Sequence, residues 1–91
     1  MRYNRWVRTE ALHDIDRIAN NHPETADLVR KLAAWIIEQL ADDPLAKGET
    51  RTSPEGKISY VRWPVGPVTV IYSVLPDDDL TVIVEGFVPN Q

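Results

Sequence analysis

No cysteine occurs in the 91 residues, which excludes disulfide staples, thiolate zinc sites and a cysteine nucleophile. Long apolar runs are missing too. Nothing approaches the roughly 18 apolar residues that a membrane helix needs, and the opening MRYNRWVRTEALHD lacks the apolar core of a secretion signal. Cytoplasmic residence without membrane contact is the expectation. Basic residues are scarce: ten Lys and Arg stand against fourteen Asp and Glu, the wrong sign for a uniformly basic nucleic-acid surface. Internal repeats and low-complexity tracts are absent. What is there is a folding chain, 43% apolar and 26% charged, close to ordinary globular usage. Its length fits one domain over residues 1–91. A chain of this size buries only about 60 to 65% of its unfolded surface, so the core is thin and deep enclosed pockets are not expected.

The few cations are clustered. Residues 1–9 hold Arg2, Arg5 and Arg8 with no acid, and residues 47–62 hold Lys47, Arg51, Lys57 and Arg62 against Glu49 and Glu55. Residues 10–46 are acidic on balance, and residues 63–91 contain no base at all. If the two cationic segments fold next to each other, they form a local basic patch on an acidic molecule, suited to a partner's phosphates or carboxylates.

Tyr3 to Val7 reads as a first strand, and Thr9 follows as a helix N-cap with Glu10 in the first turn. Leu12, Ile15, Ile18 and Ala19 then recur at helical spacing up to Asn20. Pro23 can open a second helix, in which Leu28, Val29, Leu32, Ala33, Ile36, Ile37 and Leu40 form one stripe, stopped by Asp42-Asp43-Pro44. Leu45 to Gly56 reads as a polar loop with room for a short strand. Three β-type runs follow at Lys57–Trp63, Val68–Leu75 and Leu80–Val88, with Pro76 to Asp79 as a hairpin tip and Pro64 to Pro67 as a second turn. The fold expected is α+β: an N-terminal strand, a two-helix hairpin, then a three-stranded antiparallel meander, with the helices on one face of a twisted four-stranded sheet.

This order resembles the RelE/ParE superfamily of toxins from bacterial toxin–antitoxin systems. The likeness rests on Trp6-Val7-Arg8-Thr9-Glu10-Ala11 leading into Asp14 to Ala19, on Leu40 to Pro44, on Arg62 to Val74 and on Leu80 to Gly86. It implies a cognate antitoxin as partner, no cofactor or metal, and either ribosome-bound mRNA or DNA gyrase as target. In the nuclease branch a ribose 2′-hydroxyl loses a proton, the leaving oxygen gains one, and cations stabilise charge on the phosphate. The family commonly has arginine where this chain has Thr69, and basic residues where it has Phe87 to Gln91. A family-like binding module without nuclease chemistry is therefore the alternative.

The cations and phenols that remain are Lys57, Tyr60 and Arg62 on one strand, with Tyr72 on the next. Tyr60 and Arg62 share a face by the period of two. One reading makes Arg62 the phosphate-stabilising cation, Tyr60 the general acid and Lys57 the base. The other packs Tyr60 and Tyr72 at the sheet rim and leaves Arg62 a solvated edge cation. Arg2, Arg5, Arg8, Lys47, Arg51 and Trp63 are the candidates for contact with nucleic acid or a partner, Trp63 being the tryptophan expected to be partly exposed. A homodimer through a sheet edge or Trp63 is a further expectation. His13 and His22 lie at no ligand spacing, Asp77 to Asp79 lack the glycine and distal glutamate of a calcium loop, and Ser53 and Ser59 have no neighbouring base.

Overall fold

Val61, Val70, Tyr72, Val74, Val82 and Val84 have no exposed surface, and within each strand they occupy alternate positions, so one face of the sheet is a continuous apolar layer. The computed structural model, which describes residues 2–56, 58–75 and 80–90, places this layer in the middle of a five-stranded sheet. The elements are β1 (Asn4–Val7), α1 (Thr9–Asn21), α2 (Ala26–Gln39), β2 (Glu49–Thr52), β3 (Ser59–Val65), β4 (Val68–Leu75) and β5 (Thr81–Pro89), with single 3-10 turns at Pro23–Thr25 and Pro44–Ala46. In space the strands run β1-β5-β4-β3-β2. The pair β1–β5 is parallel and the other three pairs are antiparallel. Ala11, Ile15, Ile18 and Ala19 of α1 and Val29, Ala33 and Ile36 of α2 join the same core cluster, closing the apolar face with a helical hairpin. Among the described residues no helix is long and apolar enough to cross a membrane.

The α+β order and the one-sided helical layer match the expectation; four details differ. The sheet has five strands, not four, because Glu49–Thr52 pairs with Ser59–Arg62 as an edge strand exposed at every residue. Thr9 is the first helical residue and not the cap, since the Arg8 carbonyl accepts from the N–H groups of Ala11 and Leu12 at 3.0 and 3.3 Å. Pro23 opens a 3-10 turn, and α2 starts at Ala26 because Thr25 leaves helical geometry at φ −119° and ψ 13°. Strand β3 begins at Ser59 and continues through Pro64 to Val65. The two-residue turn Gly66-Pro67 makes Val65–Val68 the hydrogen-bonded closing pair, so the nitrogen of Pro64 faces away from β4, where β2 has already ended. Gly66 has φ +59°, which this turn demands and a side chain resists. The hairpin tip expected at Pro76 to Asp79 lies outside the described residues.

A buried phenol ties the connection after α2 to the sheet. The Tyr72 hydroxyl donates to the Pro44 carbonyl, and both residues are buried. This corrects the expectation of a rim tyrosine with its hydroxyl in water. Burial pushes the Tyr72 phenol up from its ordinary pKa, because a phenolate there would lose its hydration. Gly48 fixes the same region from the other side: a Cβ there would stand 2.3 Å from the Arg62 carbonyl oxygen, so only glycine lets the chain pass beneath β3. Tyr72→Phe leaves a buried carbonyl without its donor and is expected to lower unfolding free energy by about 1–3 kcal/mol, measured by urea denaturation. An unchanged midpoint would show that the carbonyl is satisfied otherwise.

Candidate functional site on the uncovered sheet face

The residues that alternate with the core face outward, and helices do not cover them. On β3 these are Tyr60, Arg62 and Pro64, all exposed. Their cross-strand partners are Ser73, Ile71 and Thr69 on β4, and Arg51 and Glu49 on β2 for Tyr60 and Arg62. Directly paired residues share a face. Glu49, Arg51, Tyr60, Arg62 and Ile71 accordingly line one hollow of about 470 Å³. A second of similar size lies where the β2 edge begins, and Lys47, Glu49 and Arg62 line it with Thr69. Arg62 borders both.

The electrostatics single out Arg62. Its side chain makes no ion pair or hydrogen bond with any described residue. Arg51 stands 3.6 Å from Glu49 with its side chain 86% exposed, a contact of little strength in water. One accessible guanidinium, a second beside it and an exposed phenol are thus gathered on a single strand pair. That set can grip an anion and offer a proton to it. Lys57 falls outside the described residues.

The other candidates are dispersed. Arg5 points to the helix-covered side and donates to Glu38 at 2.8 Å; Arg2 donates to the same carboxylate at 3.1 Å and lies 3.9 Å from Asp42. Arg8 donates to Glu85. The expected patch uniting residues 1–9 with 47–62 does not form, because β1 and β2 are the opposite edges of the sheet and the three arginines are each paired with acids. Lys47 and Trp63 border the second hollow but turn towards α2: the Lys47 ammonium lies 5.2 Å from the centre of the Trp63 ring, which is 6.1 Å from the ring of Trp35. Trp63 is only half-buried as expected, but Trp6 at 67% and Trp35 at 49% are the tryptophans most exposed.

Sequence reasoning missed two neighbours of the site. Glu49 stands across from Arg62 because β2 was hidden in a polar stretch without apolar alternation. Glu85 reaches the uncovered face as the residue after inward Val84, and it sits at a shift of the β4–β5 register: Ile71 pairs with Gly86 and Tyr72 with Val84, leaving Glu85 as the additional residue. Its carboxylate accepts from the Ser73 hydroxyl at 2.9 Å as well as from Arg8. The Phe87 N–H donates to Asp14 at 3.1 Å. Gly86 inside a strand pattern was the available signal of a bulge. At the position where the RelE/ParE resemblance leads one to expect arginine, Thr69 is buried and its hydroxyl donates to Asn90, a structural contact that closes the β3–β4 end of the sheet.

Arg5 first, and Arg2 with it, hold the Glu38 carboxyl below its ordinary value of 4.5. A depressed carboxylate adds stability above its unfolded pKa and loses it as the pH falls through the folded value. Glu38→Gln is therefore expected to be less stable than the native chain at pH 7, with the gap closing as the acid range below the ordinary glutamate value is entered, read from thermal melts across that range. A gap independent of pH would contradict the pairing.

Comparison with known proteins bears on the fold. No protein-family model matches the chain, and no curated protein matches it in sequence. Among solved structures, the crystal structure of the toxin–antitoxin complex RelBE2 from Mycobacterium tuberculosis contains a similar chain. The match covers 99% of this chain and 93% of that one, at 14% identity and a TM-score of 0.68. One N-terminal strand, a helical hairpin on one sheet face and an antiparallel meander are, at that level of similarity, a fold shared with a chain of that complex.

Proposed function

We propose that this chain is the toxin of a toxin–antitoxin pair, neutralised by a cognate antitoxin, and that it acts on RNA through the uncovered sheet face. The single observation that carries this reading is Arg62, accessible and unpaired among the described residues, with Tyr60 and Arg51 beside it on a fold shared with a chain of a toxin–antitoxin complex. Phosphodiester cleavage at a ribose needs charge stabilisation on the phosphate and a proton for the leaving 5′ oxygen. Arg62 supplies the first, with Arg51 alongside, and Tyr60 donates the second. Lys57 is the base that takes the proton of the attacking 2′-hydroxyl. The ribosome presents the mRNA in this reading, which compensates for the small number of cations on the protein itself.

A second reading is favoured by Glu85. It places a carboxylate on the same face and occupies Arg8, while β4 and β5 contain no Lys or Arg. On that basis the chain binds a protein target such as gyrase, or its antitoxin alone, without cutting RNA.

Controlled expression in a bacterial host separates the two. The first reading expects growth arrest with cleaved mRNA, and expects Arg62→Ala to restore growth and reduce cleavage by about 100-fold or more. Growth arrest with intact mRNA selects the second reading. Normal growth on expression of the native chain, verified as folded and free of antitoxin, would contradict the first reading and leave of the second only the form that binds an antitoxin alone.

A further inference from the structure

The flank of α2 is left apolar where no described residue covers it. Val29, Ala33, Ile36 and Leu40 point into the core. Leu28 and Trp35 point away from it, 67% and 49% exposed, with Leu32 half-buried between them. Their spacing of four and three residues makes one stripe about 10 Å long on the helix surface. Trp63 extends it at the Trp35 end. At the Leu28 end it opens into a hollow of about 590 Å³, lined by Leu28, Leu32, Pro67 and Pro89 among others. An exposed leucine and tryptophan aligned on one stripe mark a contact surface more than a solvated helix face.

The charges at the two ends differ in sign. Glu24 borders the hollow at the Leu28 end, and Lys47 lies over Trp63 at the other. Lys47 forms no ion pair among the described residues, and Glu24 has only a long 3.8 Å contact to His22, both side chains being largely exposed. We infer that this stripe is an isologous interface between two copies of the chain, with the two α2 helices antiparallel across a twofold axis near Leu32. In that arrangement Leu28 of one copy meets the Trp35–Trp63 pair of the other, and Glu24 meets Lys47, twice per dimer. A parallel pairing would instead set Lys47 against Lys47 and Glu24 against Glu24, which like charges disfavour. Lys31 lies about 60° round the helix from Leu28, at the rim, where its ammonium stays in water. The inference does not depend on the toxin reading, since neither Tyr60 nor Arg62 is one of the residues it pairs across the twofold axis.

Analytical ultracentrifugation of the full chain from about 1 to 200 µM tests it, the range in which a small interface of this kind associates. A reversible monomer–dimer equilibrium is expected. Leu28→Ser and Trp35→Ala should each weaken it at least tenfold while circular dichroism and melting stay near native; Leu28, exposed and remote from Trp63, guards against a trivial folding defect. The mixing of two charge variants discriminates further. Lys47→Glu and Glu24→Lys should each self-associate several-fold more weakly than the native chain. Mixed together they restore both ion pairs and form the heterodimer in preference to either homodimer, counted by native mass spectrometry. A native chain that stays monomeric to 200 µM, a dimer indifferent to Leu28→Ser, or a statistical mixture of the charge variants would each overturn the inference. So would a monomer that uses this stripe only for a second protein.

Discussion

A two-helix layer covers one face of a sheet and leaves the other to solvent, and the rest of this molecule follows from that constraint. The chain has enough apolar side chains to fill one interior layer: Val61 of β3, Val70, Tyr72 and Val74 of β4, Val82 and Val84 of β5, and the inward residues of α1 and α2. Every strand residue between those positions is then directed outward by the pleat. Tyr60 and Arg62 owe their exposure to Val61 between them. Their shared face is a consequence of core packing and does not require any attraction between them.

Coverage of one face also decides which cations remain available. The N-terminal arginines lie on the edge strand β1 (Arg5) or just beside it (Arg2 and Arg8), where Glu38, Asp42 and Glu85 are within reach, and they hold the edge to α2 and to the bulge in β5. Arg62 lies on β3, one strand inside the other edge. There the nearest acid is Glu49 across the ladder, and no ion pair forms between them. An acidic protein thus keeps one guanidinium without an acid partner among the described residues, where a hollow adjoins a phenol. On the covered side the same scarcity of helix leaves the outer flank of α2 bare, so two surfaces with different chemistry, one cationic and one apolar, lie on opposite sides of one thin core.

Much of this was legible in the sequence where hydrophobic periodicity is strong. The stripe from Val29 to Leu40 gave the second helix, the apolar run from Val68 to Leu75 gave the central strand, and alternation put Tyr60 and Arg62 together. The places where reading failed share a cause: the deciding partner is distant in sequence. Glu49-Thr50-Arg51-Thr52 has no apolar alternation, and becomes a strand only because β3 offers an open edge. The Tyr72 hydroxyl finds the Pro44 carbonyl 28 residues away, and Arg5 finds Glu38 33 residues away. Charge clusters in sequence say which segments are rich in cations; topology decides whether those cations meet.

We propose the uncovered face as the working surface. Backbone and side-chain NMR shifts, followed while the chain is titrated at low salt with a short single-stranded RNA whose 2′-O-methyl sugars block cleavage, test it directly. The account predicts saturable shifts concentrated at Arg51, Tyr60, Arg62 and Ile71, with α1 and α2 unmoved. Shifts confined to the helical side, or a response spread evenly over the acidic surface, would contradict it.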